Sequence, residues 1–152
     1  MSRIAHPIEG LQPVPAVGVV CLRGSEVLLI RRGTPPKKGE WSLPGGRIEP
    51  GEPAAVAALR ELLEETGVTA DLVGLLDVVD AIIENRDGTL VTRHFVLIDY
   101  LAHWVSGVPV AGDDAAEARF FSRSEVAGLE IWSETARVLD MAYARMDLEG
   151  AT

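Results

Sequence analysis

The chain is short of cysteine, of positive charge and of long apolar runs, and each shortage removes a class of function. Its single cysteine, Cys21, leaves no internal disulfide to form. It lies in the apolar run Val14 to Leu22, where a buried, inert thiol is expected, and it suits a reducing compartment. No segment approaches the roughly 20 consecutive apolar residues of a membrane span. Met1 to Gln12 carries no apolar core of a signal peptide. A soluble, cytoplasmic protein with no membrane partner is therefore expected. Lys and Arg number 14 against 23 Asp and Glu, a formal net charge of −9. Nucleic-acid binding rests on a basic surface that releases counterions, so no nucleic acid is expected as partner. A phosphate-bearing substrate would need a cation between itself and this protein.

What is present fits one globular domain, 1–152, with its core at about 13–146. A chain of 152 residues buries roughly two-thirds of its unfolded surface, and 47% of its residues are hydrophobic. Its 15 Gly and 9 Pro are dispersed rather than gathered in one tract. Residues 14–23 and Glu26 to Arg32 are β-branched and apolar around Gly24-Ser25, which predicts a hairpin. A loop, Gly33 to Glu40, leads into Trp41-Ser42-Leu43-Pro44-Gly45-Gly46, where paired glycines allow a sharp turn or close contact with a ligand. Helical periodicity runs from Glu52 to Thr66, with Ala55, Ala58, Leu59, Leu62 and Thr66 on one stripe, Pro53 in the first turn and Gly67 as the stop. Two long strands, Val68 to Ile83 and Thr89 to Val105, are expected to pair antiparallel across Asn85-Arg86-Asp87-Gly88. Ala118 to Phe121 reads as a strand, Ser122 opens a helix, Ser133 to Met146 is helical, and Gly150 to Thr152 is expected to fray. The expected class is α+β, an α/β/α sandwich with a mixed sheet between helices.

On the first helix Glu61, Glu64 and Glu65 stand at i, i+3 and i+4 and share a face, mostly turned from the apolar stripe. Alone they describe a solvated acidic face relieved by Arg60, which reaches Glu64 at i+4. The glycine loop entering the helix changes that balance. Folded back, it would surround one point with carboxylate and carbonyl oxygens, the ligands that a hard divalent cation takes.

The run Gly46, five residues, Glu52, seven residues, then Arg60-Glu61-Leu62-Leu63-Glu64-Glu65-Thr66-Gly67-Val68 resembles the Nudix box of the Nudix hydrolases. Seven fixed residue types would coincide by chance on the order of once in a hundred million windows. The resemblance implies that Glu61, Glu64 and Glu65 bind Mg²⁺ or Mn²⁺ together with the Gly45 carbonyl, and that Glu52 and Arg60 orient them. It implies the Nudix fold and hydrolysis of a nucleoside diphosphate linked to another group. In-line attack by water needs charge neutralisation on the diphosphate and a positioned, partly deprotonated nucleophile, both of which divalent ions supply. For the remaining proton acceptor Asp114 is the first choice, in a Gly-Asp-Asp loop, with Glu61 or Glu64 as alternatives.

Val27-Leu-Leu-Ile-Arg-Arg-Gly-Thr-Pro-Pro, His94-Phe-Val-Leu-Ile-Asp-Tyr and Gly107-Val-Pro-Val-Ala-Gly-Asp-Asp further resemble the small ADP-ribose pyrophosphatase branch. That resemblance implies cleavage of ADP-ribose to AMP and ribose 5-phosphate, with a homodimer as a family-level expectation. Arg32, Gly45 and Gly46 are candidates for the phosphates, and Trp41 and Phe95 for stacking on a base, although aromatics in strands also serve as core. His94 is expected to be a satisfied structural histidine. The alternatives are a (d)NTP pyrophosphohydrolase that releases pyrophosphate and a non-catalytic nucleotide-binding domain.

Overall fold

A computed structural model describes residues 4–150. The β-branched run Val14–Arg23 (β2) turns at Gly24, whose φ of 59° suits the tight link to β3 (Glu26–Arg32). The two strands pair only beside the turn, Leu22 with Val27 and Arg23 with Glu26, and then splay apart. Into the gap fit β4 (Trp41–Ser42), paired with β3, and β5 (Gly45–Arg47), paired with β2. The stretch expected to be all loop thus contributes two short strands. Pairings of two and three residues are too brief to leave a periodicity.

The long hairpin forms as expected, shifted by one residue: β6 (Thr69–Glu84) and β7 (Leu90–Ser106) pair antiparallel. The Asn85 side chain clamps the turn by accepting from the Thr89 and Leu90 amides, both at 3.0 Å. β7 also runs parallel to β2, Val14 opposite Phe95 through to Leu22 opposite His103. β1 (His6–Pro7) pairs with β7, and β8 (Ala115–Phe121) lies antiparallel on β3, starting three residues earlier than its sequence pattern suggests. Together these strands make one mixed sheet of eight.

Helix α1 (Ala54–Thr66) covers one face with Val17, Val19, Cys21, Leu28 and Ala102. Helices α2 (Arg123–Ala127) and α3 (Ser133–Gly150) cover the other with Val20, Leu22, Leu29 and Leu101. Coverage of both faces explains why β2 is an unbroken apolar run. Cys21 is fully buried and burial pushes its thiol up to about 12, so it is inert as expected.

α1 begins at Ala54 rather than Glu52, because Pro53 is extended at φ −63°, ψ 145° and serves as the cap. Its buried stripe is Ala57, Ala58, Leu62, Glu65 and Thr66, while Ala55 is exposed. The helix is thus turned relative to the expected Ala55-Leu59 stripe, and one of the three acids points inward. α3 continues past Met146 to Gly150; residues 151 and 152, where fraying was expected, lie outside the described residues. Among the described residues no helix is long and apolar enough to cross a membrane.

Candidate functional site

The splay between β2 and β3 sets the site. β5 lies so close to β2 that a Cβ on Gly45 would collide with the Val17 carbonyl, and one on Gly46 would come within 2.5 Å of the Glu61 carboxyl. Only glycine brings the backbone this near the helix. The Gly45 amide then donates to Glu65 Oε1 at 2.7 Å, giving a buried carboxylate its partner.

Arg60 ties the loop to the helix. Its Nε and Nη2 donate to the two oxygens of Glu52 at 2.7 and 2.9 Å, Nη2 also reaches the Arg47 carbonyl at 3.1 Å, and Nη1 contacts Glu61 at 2.8 Å and Glu64 at 3.0 Å. This fork holds Glu52 well below the usual carboxylate range, chiefly through its hydrogen bonds, and raises Arg60 above its own.

A second loop closes the opposite side. The Val110 and Gly112 amides donate to the Thr66 and Glu65 carbonyls, both at 2.9 Å, satisfying groups left unpaired at the helix end. The Gly33 amide donates to the Asp114 carbonyl at 2.9 Å. So anchored, Asp113 and Asp114 lie close enough for their charges to act on Glu61 and Glu65 respectively. Burial raises the Glu65 carboxyl to about 7; the Gly45 amide opposes this, Glu61 and Asp114 add to it, and Arg32 offsets them. Glu61 is also raised by burial, against the pull of Arg60.

The three glutamates do not surround one point. Among the described residues no three His, Cys, Asp or Glu side chains converge into a cation cage. Arg60 stands between Glu61 and Glu64, while Glu65 is held by Gly45. The donor set still suits a hard cation: every ligand offered is oxygen, and burial raises the Glu61 and Glu65 carboxyls in spite of Arg60 and Arg32. Mg²⁺ keeps several waters and needs few carboxylates directly.

The other expected contacts divide into two groups. Arg32 lies close enough to Glu65 for its charge to act there, and its Nε donates to the Pro36 carbonyl at 2.6 Å. Trp41 is engaged edge-on with Phe121, with centroids 4.8 Å apart, and packs on the core. Phe95 opens onto a groove of about 320 Å³ together with Val14, Arg47 and Arg93, and Arg47 stands 6.0 Å from its ring. His94 pairs with Asp80 at 3.0 Å. Sequence reasoning missed Arg47 and Arg93, which look like ordinary surface charges. It also passed over Asp99, whose signal was a lone acid inside the apolar run Val96-Leu97-Ile98-Asp99-Tyr100.

The NUDIX domain family matches residues 12–141. An ADP-ribose pyrophosphatase of Methanocaldococcus jannaschii is 38% identical over 111 residues, 73% of this chain and 63% of that protein, so the chain spans less than two-thirds of this relative's length. A Mycobacterium tuberculosis protein described as an 8-oxo-dGTP diphosphatase is 34% identical over 109 residues, 70% of this chain and 71% of that protein. The crystal structure of a MutT NUDIX hydrolase from Burkholderia pseudomallei superposes with a TM-score of 0.73 at 32% identity, covering 86% of this chain and 98% of that one.

Proposed function

Because the chain belongs to the Nudix hydrolase family through a NUDIX domain over residues 12–141, we propose that it hydrolyses the diphosphate bond of a small nucleoside diphosphate derivative, ADP-ribose first among them, to AMP and ribose 5-phosphate. The carrying observation is the union of the Gly45-Gly46 strand with the acidic face of α1, closed by the Asp113-Asp114 loop. The likeness to an ADP-ribose pyrophosphatase supports the substrate.

Nudix hydrolases generally use divalent metal ions. Here Glu61, Glu64, Glu65 and the Gly45 carbonyl would hold Mg²⁺ or Mn²⁺, which when bound supplies positive charge against the diphosphate and makes an attacking water more acidic. Arg32 adds fixed positive charge on the side of Glu65. Arg60 and Glu52 hold the strand against the helix, so that the carboxylates keep their places as charge develops. Asp114 takes the proton from the attacking water, its backbone pinned by Gly33. The base end of the substrate lies in the groove beside Phe95 and Arg47, where a π-face and a guanidinium suit a nucleobase.

The second reading, cleavage of an oxidised or ordinary dNTP with release of pyrophosphate, is favoured by the Mycobacterium likeness. A substrate panel with product identification decides between them. AMP and ribose 5-phosphate without pyrophosphate, lost in excess chelator, is the expected outcome. Full turnover in chelator would overturn the metal-dependent mechanism, and no cleavage of any diphosphate would overturn the reaction itself and leave a nucleotide-binding domain.

A further inference from the structure

Asp99 is a carboxylate in the wrong kind of place for a structural residue. The residue is 5% exposed, and among the described residues no hydrogen bond reaches its carboxylate. Its charged neighbours are Asp77, which repels it, and Arg137, which is committed to Asp77 at 2.8 Å and to Glu134. A buried acid left in this state destabilises the fold and calls for an explanation. It is not sealed in. The enclosed, unpartnered side-chain atoms among the described residues are Arg123 Nε and the Tyr143 hydroxyl, so the Asp99 oxygens retain a path to solvent.

Position supplies the explanation. Gly18 pairs with Asp99 on one side and with Gly45 on the other, so the three residues form one row across the sheet. Two strand spacings put the Gly45 and Asp99 backbones roughly 10 Å apart. The Asp99 carboxylate leans over Gly18 into that interval, occupying the space where a Cβ would stand, with Leu43 beside it. On the same face the next rows are Arg47-Ala16-Leu97 and then Val14-Phe95, which lead into the groove. The carboxylate therefore shares a row with Gly45 and lies on the α3 face of the sheet, the face along which the aromatic groove opens two rows further on.

We propose that Asp99 contacts the substrate, accepting a hydrogen bond from a hydroxyl of the ribose that joins the diphosphate to the base, and so selects ribonucleotides over deoxyribonucleotides. The row places it a sugar's breadth along from Gly45, and a carboxylate is acceptor-only, which fits a donor-bearing diol. A site built around a substrate hydroxyl rejects the analogue lacking it, because the buried acceptor then stays unpaired. The inference rests on the reading above in placing the diphosphate at the glutamates and the base in the groove.

Calorimetric titration of AMP, 2′-deoxy-AMP and 3′-deoxy-AMP, with Mg²⁺ present, into the wild-type chain, Asp99→Asn and Asp99→Ala tests it without turnover. The wild type should bind AMP at least about tenfold more tightly than the form lacking the contacted hydroxyl. Both variants should lose that preference while the affinity for that deoxy form holds. Equal affinities in the wild type, no AMP binding, or uniform weakening of all three nucleotides in the variants would overturn it. A failed hydrolysis panel with the ribose preference intact would sink the proposed reaction instead.

Discussion

Glu65 and Gly45, 20 residues apart in sequence, meet through one hydrogen bond of 2.7 Å from the glycine amide to the carboxylate. That bond couples the acidic helix to the sheet, and it accounts for a glutamate on the buried stripe of α1.

Replacement of Glu64 or Glu65 by Gln should lower kcat/KM by at least about two orders of magnitude in saturating Mg²⁺, since each removes charge from the proposed ligand set. Steady-state kinetics on the preferred diphosphate check this. Retention of more than a tenth of wild-type activity by both variants would remove these residues from the mechanism.

Arg60→Lys keeps the charge but loses the fork that grips both Glu52 oxygens and the Arg47 carbonyl. Activity should fall about tenfold or more, with a lower melting midpoint. Thermal unfolding monitored beside kinetics reads both, and a variant with wild-type values of each would show that charge alone suffices.

Gly46→Ala would place a methyl group within 2.5 Å of the Glu61 carboxyl. The helix acid must swing aside, so activity should drop at least about tenfold while stability falls by no more than about 1 kcal/mol, since only the end of a flexible side chain has to move. Denaturant titration and turnover separate the two effects.

Burial raises the Asp99 carboxyl from 3.8 to about 6. The folded state binds its proton more tightly than the unfolded chain does, so this residue's contribution to stability declines as pH rises from about 4 to about 6 and levels off above. Asp99→Asn removes that decline and should be more stable than the wild type by about 3 kcal/mol at pH 7, with the two converging near pH 4. Urea midpoints across this range measure the difference; a gap that widens toward acid pH would refute it.

The acidic box was legible in the sequence because everything that defines it is local: a helix, its cap and the loop that enters it. The long hairpin was legible for the same reason, through alternation around Asp87-Gly88. The inward turn of Glu65 was not, since an ionisable side chain reads as solvent-facing until the Gly45 amide is brought to it. Nor was the parallel contact of β2 with β7, which joins segments far apart in the chain, and Asp99 acquires its meaning only from that contact. The groove residues Arg47 and Arg93 share the same difficulty, for each lies on a different strand.

The loop 33–39 leaves and re-enters the sheet through one neck, where the Arg32 amide donates to the Glu40 carbonyl at 2.9 Å and the Gly39 amide to the Arg32 carbonyl at 2.7 Å. Segments closed in this way tolerate changes of length and sequence, because the strain of an insertion stops at the neck. Selection can therefore lengthen, shorten or recompose this loop, pinned also by Arg32 Nε on the Pro36 carbonyl, while the strands that it joins are inherited unchanged.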